Sequence, residues 1–122
     1  MFGFSRPAAA PRVERISPQD CVARHARDEL TVVDVREHAE LRASGTASGG
    51  LHVPLMRLAD VADPRHPDHN AALNPDAPVA VFCASGGRSQ MAAELLVKLG
   101  YRQVYNLGGF GDWCAAGGKV AR

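Results

Sequence analysis

The chain has 122 residues, 46% of them hydrophobic, a size that suits one domain with a real core and excludes two. Its 14 basic and 13 acidic residues nearly balance and form no run of like charge, so neither nucleic acid nor an anionic membrane is implied as a partner. The 3 cysteines, Cys21, Cys83 and Cys114, are odd in number and irregularly spaced, which argues against a disulfide framework or a zinc site and for a reducing compartment. No apolar block opens the chain and no later stretch approaches a membrane span, so a soluble, cytoplasmic protein is expected.

Residues 1–12, rich in Pro, Ala and Arg, read as a flexible arm, and 13–122 as the domain. A short strand is expected at 13–16. Ser17-Pro18-Gln19-Asp20 then supplies an N-cap, a proline at the first helical position and an acid at the third, which predicts a helix to about Arg27. The run 30–34 is the clearest early strand, 37–43 a short helix, 51–53 a strand before Pro54, and 55–61 another short helix. Four prolines with Asp, Asn and His make 62–78 an irregular excursion. The run 79–82 is the central strand. Ala92, Leu95, Leu96 and Leu99 repeat with helical spacing up to a C-cap at Gly100. A strand at 103–106 and a helix at 111–116 complete the series. Strands separated by helices imply parallel βαβ units.

The chemistry concentrates after the central strand, in Cys83-Ala84-Ser85-Gly86-Gly87-Arg88-Ser89. A cysteine at the carboxyl end of a buried strand stands where α/β sheets bind ligands. The small residues from Ala84 to Gly87 let backbone N–H groups curl around the sulfur. Arg88 and the following helix N-terminus add positive potential, which lowers a thiol pKa from about 8.5 toward neutrality. Cys83 is therefore expected as a thiolate nucleophile, with Arg88 contacting an anion.

These residues resemble a known family. From about Val13 to Val120 the chain is similar to the single-domain rhodaneses. Val33-Asp34-Val35-Arg36-Glu37 matches the family's segment after its second strand, and the stretch from Gly45 to Pro54 keeps Gly49, Val53 and Pro54 of the next motif. The Cys83 loop matches the active-site loop, and Tyr105-Asn-Leu-Gly-Gly-Phe-Gly-Asp-Trp113 matches the Gly-Gly and Trp near the carboxyl end. Thr46, Ala47 and Ser48 depart from the family's usual His, Ile and Pro. The resemblance implies an α/β domain whose central parallel sheet has helices on both faces. It further implies a sulfurtransferase that carries sulfane sulfur as a Cys83 persulfide, from thiosulfate or another persulfide to cyanide or a thiol. Ala84, Ser85, Gly86, Gly87, Arg88 and Ser89 would hold the substrate, with Asp34 and Arg36 in support. No metal or organic cofactor is required, and a sulfur-relay protein is a conceivable partner.

Two other functions compete. Tyrosine phosphatases also use Cys, a backbone cradle and Arg, but with one more residue in the loop than the four between Cys83 and Arg88; the shorter loop suits a single sulfur atom rather than the phosphate or arsenate of an oxyanion enzyme. A thiol-bearing relay or sensing module that does not turn over in isolation is the third reading. Each of these residues also has a plainer role. Asp34 and Arg36 read first as an ion pair organising the loop mouth, Ser89 equally as a helix cap, and Trp113 as packing. Cys21 and Cys114 read as inert packing cysteines, and His66 and His69 as solvated residues rather than metal ligands.

Overall fold

The computed structural model describes residues 10–122. Most of the expected arm, residues 1–9, lies outside them, while residues 10–12 are exposed and lack regular structure. The elements follow the expected alternation: β1 (Val13–Arg15), α1 (Pro18–Ala26), β2 (Thr31–Asp34), α2 (His38–Ser44), β3 (Thr46–Ala47), β4 (Leu51–His52), α3 (Leu58–Val61), β5 (Val79–Cys83), α4 (Gly87–Lys98), β6 (Val104–Gly109), α5 (Phe110–Ala115) and β7 (Val120–Ala121). The Ser17 hydroxyl accepts the Asp20 N–H at 3.1 Å and caps α1, with Pro18 filling a position that needs no donor.

Strands β1, β6, β5, β2 and β4 lie side by side in that order, all parallel. Alternate residues of β5 face opposite layers. Val79, Val81 and Cys83 pack with Ala92, Ala93 and Leu96 of α4, together with Leu58, Leu73 and Tyr101. Ala80 and Phe82 pack on the other face with Cys21 of α1 and Trp113 of α5. Helices therefore cover both faces, the arrangement in which a parallel sheet buries near-continuous apolar strands.

Four departures from expectation have identifiable causes. The 55–61 segment begins as a 3-10 turn (Leu55–Arg57) directly after Pro54 and becomes α-helical only at Leu58. Strand β5 runs through Cys83, and β6 runs on through Gly108 and Gly109, because these glycines pair with Phe82 and Cys83 across a bulge. A second sheet forms where β3 pairs antiparallel with β7, and two-residue strands carry no readable alternation. The 62–78 excursion is tied down: the buried Tyr101 hydroxyl lies 2.7 Å from the Ala62 carbonyl and 3.1 Å from that of Leu73, so this long loop forms a wall over α4.

Candidate active site

Cys83 ends β5, and the chain turns at once into α4. Gly86 makes the turn possible, holding φ +105° as the helix N-cap, a conformation that side-chain-bearing residues rarely adopt. The turn points the Gly86 N–H at the sulfur from 3.0 Å and the Ser89 N–H from 3.4 Å. The Ser89 hydroxyl stands 3.5 Å away. Burial, the largest single influence on the thiol, opposes ionisation, but the Ser89 hydroxyl and the N–H groups of Ser89, Gly86 and Ser85 together outweigh it and hold Cys83 below its ordinary pKa. Cys83 is only 1% exposed, whereas Ala84, Ser85 and Gly87 are open to solvent. The site is thus an anion-binding nest under a thin loop.

Support comes from β6. Asn106 accepts the Ser89 hydroxyl at 2.8 Å and the Gly108 N–H at 3.0 Å through Oδ1, while its Nδ2 faces the Gly86 carbonyl at 3.4 Å and donates to Gln90 at 3.1 Å. Gly109 lies beneath the loop, where a Cβ would collide with the Ala84 carbonyl. The bulge therefore lets β6 serve as the floor of the loop.

Arg88 already meets a carboxylate within the fold. It is not a free cation: its Nη1 and Nη2 donate to Oε1 and Oε2 of Glu40, on α2, at 2.6 and 2.8 Å. The Arg88 hydrogen bond holds the Glu40 carboxyl down at about 2, and the same bond drives the guanidinium pKa up. Asp34 and Arg36 form the expected ion pair at 2.8 Å, nearly fully buried, but not at the loop mouth. Asp34 lies on the face of β2 opposite Val33 and therefore opposite Cys83. Arg36 rests there over Phe110, 4.3 Å from the ring centre, and donates to the Gly45 carbonyl and the Ser44 hydroxyl. Thr46, one of the residues that departs from the family pattern, completes this cluster by donating to Asp34 at 2.7 Å.

A family model described as a rhodanese-like domain matches residues 17–116. The chain belongs to the rhodanese-like family. A Pseudomonas entomophila protein named thiosulfate sulfurtransferase GlpE is 38% identical over 101 residues, covering 82% of this chain and 84% of that one. Among solved structures, a rhodanese-related protein of Thermoplasma volcanium is 31% identical at a TM-score of 0.69, covering 88% of this chain and 96% of that one. A Rhodopseudomonas palustris protein of unknown function, described as a possible tyrosine phosphatase, reaches a TM-score of 0.80 at 28% identity, with 89% and 85% covered.

Two residues of this rhodanese-like site escape a reading of the sequence. Glu40 meets Arg88 across 48 positions, and Asn106 reads only as the end of a strand. The remaining candidates sit elsewhere. Ser89 is not the cap, a place held by Gly86; it lies inside α4, buried against the sulfur. Trp113 is core. Burial pushes the Cys21 thiol up to about 12, which leaves it inert, whereas Cys114 is exposed and does not pack. His66 accepts the Asp68 N–H on Nδ1 at 3.0 Å, so its proton sits on Nε2, which faces Asp60; Arg57 bridges Asp60 and Asp68. That leaves His66 without a lone pair directed at the two carboxylates and makes the group an ion-pair network. His69 Nε2 is 2.8 Å from the Leu73 carbonyl.

Proposed function

We propose that this protein is a sulfurtransferase that moves sulfane sulfur from thiosulfate or a persulfide to a thiol or cyanide through a persulfide on Cys83. The observation that carries the reading is the sulfur nest, in which the N–H groups of Gly86 and Ser89 converge on Cys83 Sγ. With thiosulfate, the thiolate attacks the outer sulfur, the bond to the sulfonate sulfur breaks, and sulfite leaves with the electron pair. The terminal sulfur then carries the negative charge, and the N–H donors of the loop stabilise the intermediate. An acceptor thiolate or cyanide attacks that outer sulfur and restores the Cys83 thiolate. No step calls on a cofactor. The names of the curated relatives support thiosulfate as one donor. Free thiols at Cys21, Cys83 and Cys114 suit a reducing, cytoplasmic setting.

The phosphatase reading, suggested by the description of one structural neighbour, is disfavoured by the Glu40 carboxylate on Arg88. A phosphate would need that guanidinium. Intact-protein mass spectrometry after brief incubation with thiosulfate or an organic persulfide tests the proposal. The expected result is a gain of one sulfur, absent in Cys83→Ser and removed by cyanide. No gain with either donor would overturn it, and phosphate release from an aryl phosphate would establish the rival.

A further inference from the structure

The charge around the loop decides which donor the nest accepts, and the cation that follows the loop is matched by a carboxylate. Arg88 follows the loop directly and lies close enough to Cys83 for their charges to act on one another. Its guanidinium is nevertheless committed, through both terminal nitrogens, to the Glu40 carboxylate at 2.6 and 2.8 Å. Glu37, at the N-cap of the same helix, also acts on Arg88. Among the described residues, Arg36 is paired with Asp34 on the opposite face of the sheet, and Arg57 is shared by Asp60 and Asp68. Ala84 and Ser85 are neutral and exposed. Glu40 is held firmly in place, because Oε1 also accepts the Glu37 N–H at 3.0 Å at the start of α2.

We propose that Glu40 is a specificity-determining residue: by engaging Arg88 it withholds a cation from the loop, and so selects organic persulfides on a neutral or cationic carrier over dianionic thiosulfate. The inference rests on the sulfur-transfer reading above and names its donor class. The step balances without an added oxidant. Cys83 thiolate attacks the outer sulfur of R–S–SH, a bond from Sγ to that sulfur forms, and the bond to the carrier sulfur breaks. The carrier leaves as RS⁻ with the electron pair, and the proton stays on the transferred sulfur.

Glu40→Gln is the informative change, since its amide oxygen can still cap α2 and accept from Arg88 while the negative charge is gone. Removing one unit of negative charge beside the loop is expected to change the encounter by about threefold for a monoanion and about tenfold for a dianion. Two readouts are made on wild type, Glu40→Gln and the double variant Glu40→Gln/Arg88→Gln. The first is the ratio of iodoacetate to iodoacetamide alkylation at Cys83, followed on the Cys83 peptide, which requires no sulfur transfer. The second is kcat/KM with thiosulfate and with cysteamine persulfide. Wild type should prefer cysteamine persulfide. Glu40→Gln should raise the alkylation ratio about threefold and thiosulfate kcat/KM about tenfold, and the double variant should cancel both gains. An alkylation ratio unchanged or lowered in Glu40→Gln overturns the proposal whatever the protein's reaction. A shifted ratio with no sulfur gained by wild-type Cys83 from either donor overturns the sulfurtransferase reading, and with it the donor class, while leaving the electrostatic role of Glu40 standing.

Discussion

At the scale of single residues, the site turns on one hydroxyl proton. Ser89 has a single O–H, and the Asn106 carbonyl oxygen accepts it at 2.8 Å while Cys83 Sγ waits at 3.5 Å. When the thiol ionises, turning that proton toward sulfur stabilises the anion, so Ser89 couples the charge of Cys83 to β6. Ser89→Ala should raise the Cys83 titration midpoint by about one unit, since a hydrogen bond to a charged group is worth about 1.5–3 kcal/mol before neighbours compensate. The pH dependence of iodoacetamide alkylation at Cys83 reads this directly. An unmoved midpoint would assign the depression to the backbone N–H groups alone. The sign for stability follows from the same shift. Because the folded-state pKa lies below the unfolded one, ionised Cys83 stabilises the fold above the ordinary thiol pKa, and this stabilisation fades as pH falls through the folded value. Cys83 and its loop were legible in the sequence because a strand, small residues and a helix start are contiguous there. The partners of the loop were not, since Glu40 and Asn106 reach it only through tertiary packing.

At the scale of elements, the buried Asp34–Arg36 pair acts as a clamp on α2. Arg36 links the end of β2 to the Gly45 carbonyl and Ser44 at the end of α2, and Thr46 of β3 closes the cluster onto Asp34. Since α2 carries Glu40, this clamp on one face of the sheet fixes a charge that acts at the other. Removing one partner leaves the other buried and unpaired, which costs about 3–5 kcal/mol. Asp34→Ala should therefore lower the urea midpoint by that equivalent. A loss below about 1 kcal/mol would show that water reaches the pair. The strands at 30–34 and 79–82 were readable because buried parallel strands are continuous apolar runs. The extension of β6 through Gly108 and Gly109 was not, because glycines disfavour strand and are held there only by Phe82 and Cys83 alongside.

At the scale of the whole molecule, Cys83 and its loop lie at the carboxyl end of a parallel strand, as the βαβ pattern requires, but the closure of the fold comes from a place with no pattern at all. The Lys119 carbonyl accepts the Trp113 indole N–H at 2.9 Å and the Ser48 N–H at 2.9 Å, and β7 then pairs with β3. The last residues thus join α5 to the segment carrying Thr46, Ala47 and Ser48, which explains how that segment is anchored without the family's usual residues. Truncation after Gly118 leaves the indole N–H and the Ser48 amide without partners and uncovers the edge of β3. Lost hydrogen bonds contribute about 1 kcal/mol each, and in a domain of this size each kcal/mol shifts the melting temperature by about 4–8 °C. The truncated chain should melt about 10 °C lower, with Trp113 emission shifted to the red as water reaches the ring. The nest around Cys83 lies on β5 and α4, away from this closure, so iodoacetamide should still alkylate Cys83 with the wild-type pH midpoint at temperatures below the melt. Unchanged melting and emission would mean that α5 holds its tryptophan without the C-terminal strand. A displaced Cys83 midpoint would mean instead that α5 and β6 move as one body, and that the end of the chain sets the floor of the loop.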